Sequence, residues 1–212
     1  MPESIVHLSS VAGSPLLDSA GERLGRVEDV IVRLDLDDGL PPVTGLKARI
    51  GGREMFVPAD RIAHLEPAAA RTSTTKLNLA QFDRRPGEVL LRSDVLDRSL
   101  INVDTARLVR AREVELICDR GTWRVAGIDP SLSARLMRLR PRRFRTHQGE
   151  HPQFVPWRDM EPFVSHVPSS RLRLAHRRLA RLHPAQIADL VEAASHDEGE
   201  EILAAVGQDK EL

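Results

Sequence analysis

Two stretches of this 212-residue chain read as copies of one pattern of short strands, and that limits the fold more than any other feature. GRVEDVIV (25–32) lines up with VRAREVEL (109–116) at an offset of 84 residues, so that Asp29-Val30 falls on Glu113-Val114. VTGL (43–46) lines up with VAGI (125–128) at an offset of 82, which requires only a hairpin shorter by two residues. LLDSAGERLG (16–25) matches LINVDTARLV (100–109) by pattern rather than identity. Residues 94–139 are therefore expected to be a degenerate copy of 13–65, with Val30 over Val114 and Gly45 over Gly127.

Each copy reads as β structure. Val30, Val32, Leu34 and Leu36 recur at period two, the mark of a half-buried strand. DDGLPP (37–42) is a turn, and Val43, Gly45–Ile50 and Met55–Val57 are further strands split at Gly51-Gly52. ADRIAHL (59–65) predicts one short helical turn, while 75–79 and 88–92 are strand-like. Gly21 and Gly25 are expected to supply positive φ in a turn. No long segment of helical period precedes residue 130. The fold class expected is mainly β with an α C-terminus: two small antiparallel β-barrels, or one pseudo-symmetric pair, in which each copy closes its sheet edges, followed by a short helical array. Val30, Val32, Leu46, Val114, Leu116 and Ile128 form the expected core.

Beyond the repeats the pattern changes. SLSARLMRL (131–139) puts Leu132, Leu136 and Leu139 on one helical face, and Pro141 stops it. Residues 140–168 hold five prolines among polar and basic residues and read as an extended connector. Leu172, Ala175, Leu179 and Leu182 form a helical stripe. His183-Pro184 starts a second helix with Pro in its first turn, and Ile187, Leu190, Val191 and Ala194 line its apolar face. Ser195 through Glu198 is a capping box for a third, whose apolar face is Ile202, Leu203 and Val206. Four regions result: repeat 1 (1–70), repeat 2 (71–139), a basic connector (140–167) and helices (168–212). Short helices that begin a stackable array predict a piece of a longer protein.

Charge divides the chain in a related way. Lys+Arg and Asp+Glu are 31 each, yet residues 1–128 balance at −1, 129–183 at +8 and 184–212 at −7. Seven aromatic residues, none of them Tyr, argue against stacking platforms for single-stranded nucleic acid. The single Cys118 excludes a disulfide framework and is read as a small buried apolar residue. No apolar run approaches the roughly 20 residues that span a bilayer. MPESIVHLSS lacks the features of a secretory signal, so a cytoplasmic location is expected.

Chemical motifs are few. Asp35 through Gly39 begins like a calcium loop, but Leu40 and Leu46 stand where Gly and Glu are needed. Gly21 through Gly25 lacks a P-loop ending. His147 and His151 lie four apart in the connector, with nothing spaced to complete a zinc set. No hydrolase or metalloprotease signature occurs, so no catalytic, cofactor-binding or metal-ligating residue is assigned, and no enzymatic activity is expected. The acidic set Asp189, Glu192, Asp197, Glu198, Glu200, Glu201, Asp209 and Glu211 is the one candidate for hard-cation chemistry.

GSPLLDSAGERLGRVEDVIV (13–32) resembles the opening of the PRC-barrel family, a Gly-containing turn followed by G-x-V-x-D-V-x-V. RLARLHPAQIADLVEAASHDEGEEILAAV (178–206) resembles the start of the cytosolic N-domain of MgtE-type magnesium transporters, with HPAxIADL its specific part. VPWRDMEPF (155–163) fits proteins that join the two modules. The second repeat departs from the barrel pattern, with Thr105 and Val109 in place of Gly21 and Gly25. The resemblance implies a right-handed helical array continued by CBS domains or a membrane pore, and Mg²⁺ bound by acidic residues of the full-length protein. Most such ligands would fall beyond Leu212, so none is carried onto this chain. PRC-barrels elsewhere act as docking modules, in a ribosome-maturation factor and in the reaction-centre H subunit. The expected function is thus a non-enzymatic docking and regulatory part of a magnesium-transporter-like protein, a homodimer at the cytosolic face of a membrane. The rival is an RNA- or ribosome-binding adaptor, which the −1 balance of the barrel region disfavours.

Overall fold

A computed structural model describes residues 4–34, 40–75, 79–131, 154–163, 179 and 182–208. The chain is mainly β, with its longer helices near the C-terminus. The first unit contains β1 (Ser4–His7), a single turn α1 (Leu8–Val11), β2 (Pro15–Leu17), β3 (Arg23–Arg33), β4 (Val43–Ile50) and β5 (Arg53–Pro58). A 3-10 turn (Ala59–Arg61) leads into β6 (Ile62–Glu66), and β7 (Ala69–Thr72) and β8 (Ala80–Gln81) follow. The helical turn expected over 59–65 thus ends at Arg61, because Ile62 onward pairs with β7.

The second unit repeats that order. β9 (Glu88–Leu90) runs into a π turn (Leu91–Val95), then β10 (Ser99–Asn102), β11 (Arg107–Arg110), β12 (Glu113–Asp119) and β13 (Thr122–Asp129). β14 (Val155–Pro156), a 3-10 turn (Trp157–Asp159) and β15 (Met160–Pro162) complete it. Across the central hairpin of each unit the registers coincide. Val30 faces Leu46 and Ile31 faces Gly45 across β3–β4; Val114 faces Ile128 and Glu115 faces Gly127 across β12–β13. Even the bulge falls at the same place, after Ile31 and after Glu115.

Residues 154–163 are therefore not connector. Phe154-Val155-Pro156 stands where Phe56-Val57-Pro58 stands, and both Pro58 and Pro156 face the glycine of the preceding strand, Gly45 and Gly127. Trp157, Met160 and Phe163 are buried. Proline content misled because Pro156 and Pro162 sit in short edge strands, where a missing N–H costs little. The helices expected at 131–139 and over most of 172–182 lie outside the described residues, as do 35–39, 76–78 and 140–153.

Closed barrels are not what these strands form. The first unit's sheet runs β6-β7-β2-β3-β4-β5-β8, with β9 added on β3. The second unit holds two sheets, β1-β12-β13-β14 and β11-β10-β15. All three paths are open. β5 and β6 are joined through a 3-10 turn but lie far apart in the path, and β14 and β15 are joined the same way across two sheets. Chain bends replace the hydrogen bonds that would close a barrel. In the second unit the strand matching β3 breaks at Ala111-Arg112, which separates β11 from β12.

The leading strand of each unit pairs with the other unit. β1 lies antiparallel to β12, with Val6 opposite Leu116, and β9 lies antiparallel to β3, with Val89 opposite Val32. One apolar core accordingly runs through both units. It includes all six residues expected there: Val30, Val32, Leu46, Val114, Leu116 and Ile128 are each 0% exposed. Burial of one such side chain is worth about 1.5–3 kcal/mol.

α2 (Pro184–Ala193) and α3 (His196–Gln208) follow. Leu190 and Ile202 pack with Ile101, Leu179 and Phe163 in a second, smaller cluster. That cluster seats the helix pair on β10 and β11 of the second unit.

Candidate functional site: reciprocal carboxylates and the helix-docking face

The two acids singled out by the repeat, Asp29 and Glu113, are both buried and both reach across to the opposite unit. Asp29 Oδ1 accepts from the backbone N–H of Arg92 at 2.7 Å and of Val30 at 2.8 Å. Its Oδ2 accepts from the Ser93 N–H at 3.0 Å and the Ser93 hydroxyl at 2.8 Å. Glu113 Oε1 accepts from the N–H of Ser9 and of Val114, both at 3.1 Å. Each carboxylate thus satisfies the orphan donors at the start of the other unit's helical turn. Burial pushes the Asp29 carboxyl above its usual range, and its hydrogen bonds pull the other way.

Those two turns match closely. Ala12 N donates to Leu8 O across α1 and Leu96 N donates to Leu91 O across the π turn, which holds one residue more. Gly13 (φ 82°) and Asp97 (φ 63°) follow in the left-handed region, and their N–H groups donate to Val27 O and Ala111 O, both at 2.7 Å. Asp18 Oδ1 and Asn102 Oδ1 then close the β2–β3 and β10–β11 turns by accepting from two backbone N–H groups each.

Gly21 has the positive φ expected of it (88°), but Gly25 does not. A Cβ on Gly25 would run into the carbonyl oxygen of Arg49, so this glycine serves close strand approach instead. The matching strand β13 stops at Asp129, before the position that would correspond to Arg49, so Val109 is tolerated where Gly25 is required. Left-handed backbone in the second turn moves to Ala106 (φ 50°).

The docking face is where the units differ. On β10–β11, Ile101 pairs with Leu108, and the helix pair covers them. On β2–β3 the counterpart Leu17 pairs with Arg23 and, through β7, with Arg71. Two arginines beside one leucine offer no apolar seat, which gives the helices one place to dock. HPAQIADL supplies the start of α2. His183 Nδ1 accepts from Ala185 N at 3.3 Å and Gln186 Oε1 accepts from His183 N at 2.8 Å, with Pro184 in the first turn. Sequence reasoning missed this box because histidine is not a usual cap residue.

A cleft of about 430 Å³ opens between the β10–β11 turn and α2. Ala106 and Leu190 form its apolar floor, and Thr105, Arg107, Gln186 and Asp189 surround it with exposed polar groups.

The acidic set divides by role. Glu198 is buried and completes its capping box, accepting from Ser195 N at 3.0 Å. Glu200 meets His196 at 3.2 Å. Asp189, Glu192 and Asp197 are exposed, while Asp209 and Glu211 lie outside the described residues. Among the described residues, no three His, Cys, Asp or Glu side chains converge as a metal set. His147 and His151 lie outside them. Cys118 is half-buried on β12 against the main core. No helix among the described residues is long and apolar enough to cross a membrane. Comparison with protein-family models and with curated proteins finds no match to this chain.

Proposed function

We propose that this chain is a non-enzymatic docking and regulatory module of a magnesium-transporter-like protein. Two interlocked PRC-barrel-like units form its base, and α2–α3 form the opening of an MgtE-type N-domain. The observation that carries this reading is the seating of the helix pair. Leu190 and Ile202 turn inward onto Ile101, while Asp189, Glu192 and Asp197 remain exposed. A fixed base that presents an acidic helical surface suits a Mg²⁺-responsive unit, because diffuse negative charge gathers cations and added carboxylates make a site. The −1 balance of residues 1–128 weighs against the RNA-adaptor reading.

Thermal melts with and without millimolar Mg²⁺, at constant ionic strength, test the proposal. A site saturated at 100 times its Kd adds about 2.7 kcal/mol of stability. The expected outcome for these residues alone is a small shift, because their exposed carboxylates do not converge. A Mg²⁺-specific rise of several degrees that survives Glu198→Gln and Glu201→Gln would place metal elsewhere and contradict this use of the helices.

A further inference from the structure

The first unit carries a basic row where the second carries its helix seat. His64, Arg71, Leu17 and Arg23 stand in register across β6, β7, β2 and β3. At about 4.8 Å per strand the row spans roughly 14 Å. His64 and Arg23 are exposed, and Arg71 and Leu17 are half-buried. The Arg71 guanidinium extends along this face, 3.5 Å from where a Cβ on Gly21 would sit. Neither arginine has an ion-pair partner among the described residues. Two arginines flanking one half-buried leucine on a single sheet face favour an anionic partner.

The helix pair has the complementary character. Residues 184–208 hold six Asp or Glu and no Lys or Arg. α2 is ten residues long, about 15 Å, which matches the length of the row. In the second unit Ile101 and Leu108, paired across β10 and β11, already pack against this same helix pair.

We propose that the basic row of the first unit docks the acidic surface of α2–α3 from a second copy of this chain. A two-fold arrangement closes the contact, since each copy offers one row and one helix pair. The inference deepens the docking-module reading, and its failure leaves the Mg²⁺ melts unaffected. Exposed ion pairs of this kind are weak and screened by salt.

Sedimentation velocity on the full chain tests it, at about 0.05 M and about 0.5 M salt. The expected result is a two-copy species at low salt that dissociates at high salt. Arg23→Glu with Arg71→Glu in one variant, and Asp189→Lys with Glu192→Lys in another, should each sediment as single copies. An equimolar mixture of the two variants should recover the two-copy species, because each then complements the other. That recovery also shows that both variants fold. A single copy under all conditions, or a two-copy species indifferent to the reversals, overturns the proposal. So does a wild-type single copy that instead binds an RNA oligomer through Arg23 and Arg71.

Discussion

Pro42 and Arg124 pair with each other across an isolated antiparallel bridge, and each is the other's counterpart in the repeat, 82 residues away. Contact between equivalent positions is the signature of a two-fold axis. Val125 N continues the contact, donating to Pro41 O at 2.9 Å. The exchange of β1 and β9 and the crossed capping by Asp29 and Glu113 obey the same relationship. One chain thus holds the interlocked pair that two separate units would make, and the sheets built on β3 and on β12 each take a strand from the other half.

Asp29→Asn should destabilise the β body by about 1–3 kcal/mol. Both Asp29 oxygens accept two hydrogen bonds, so either orientation of the amide sets an NH₂ against a backbone N–H. Denaturant melts measure the loss; Asp29→Asn melting like wild type would remove the reciprocal cap from the account.

The same carboxyl makes the loss depend on pH. Burial raises its pKa above the ordinary 3.8, so the folded state holds this proton more tightly than the unfolded chain does. Its contribution to stability is fully present below the unfolded pKa and is lost as pH rises through the folded one. Wild type should therefore gain on Asp29→Asn as pH falls through the acid range. Melting temperatures of both proteins between pH 7 and pH 4 check this, and a constant difference would contradict it.

Gly45→Ala and Gly127→Ala should both destabilise, by about 1–3 kcal/mol each. A Cβ at Gly45 would strike Val57 O and the Phe56 ring; at Gly127 it would strike Val155 O and the Phe154 ring. Similar losses in chemical denaturation are expected, and a neutral Gly127→Ala would mean that Phe154-Val155 does not occupy the place of Phe56-Val57.

Leu190→Asp should release the helix pair without unfolding the β body. Leu190 is 1% exposed in the small cluster and takes no part in the main core. Limited proteolysis should then cut within 184–208 while the main thermal transition stays. Loss of that transition would mean that the β units need the helices in order to fold.

The strands and their register were legible in sequence because a period of two and the paired offsets of 84 and 82 survive divergence. The last strands of the second unit were not. Phe154-Val155-Pro156 repeats Phe56-Val57-Pro58, but at an offset of 98, on the far side of an insertion, and proline content masked it. Strand exchange was illegible for another reason: β1 and β9 are short apolar stretches whose partners are set by tertiary contact rather than by local pattern. The basic row escaped notice because its members lie on four strands and meet only in the sheet. The cap at Ser195 and Glu198 was readable, since its partners are three residues apart.

The central claim is that the two repeats form one interlocked body, and tryptophan fluorescence tests it most directly. Trp123 and Trp157 are the chain's two tryptophans, and both are buried in the second unit. Leu46 is 0% exposed in the first unit, and Leu46→Ala should cost about 2–5 kcal/mol. In denaturant, the fluorescence and far-UV circular dichroism midpoints of wild type should coincide, and Leu46→Ala should move both by the same amount. A fluorescence transition that stays in place while the dichroism signal splits in two would show that the units fold independently.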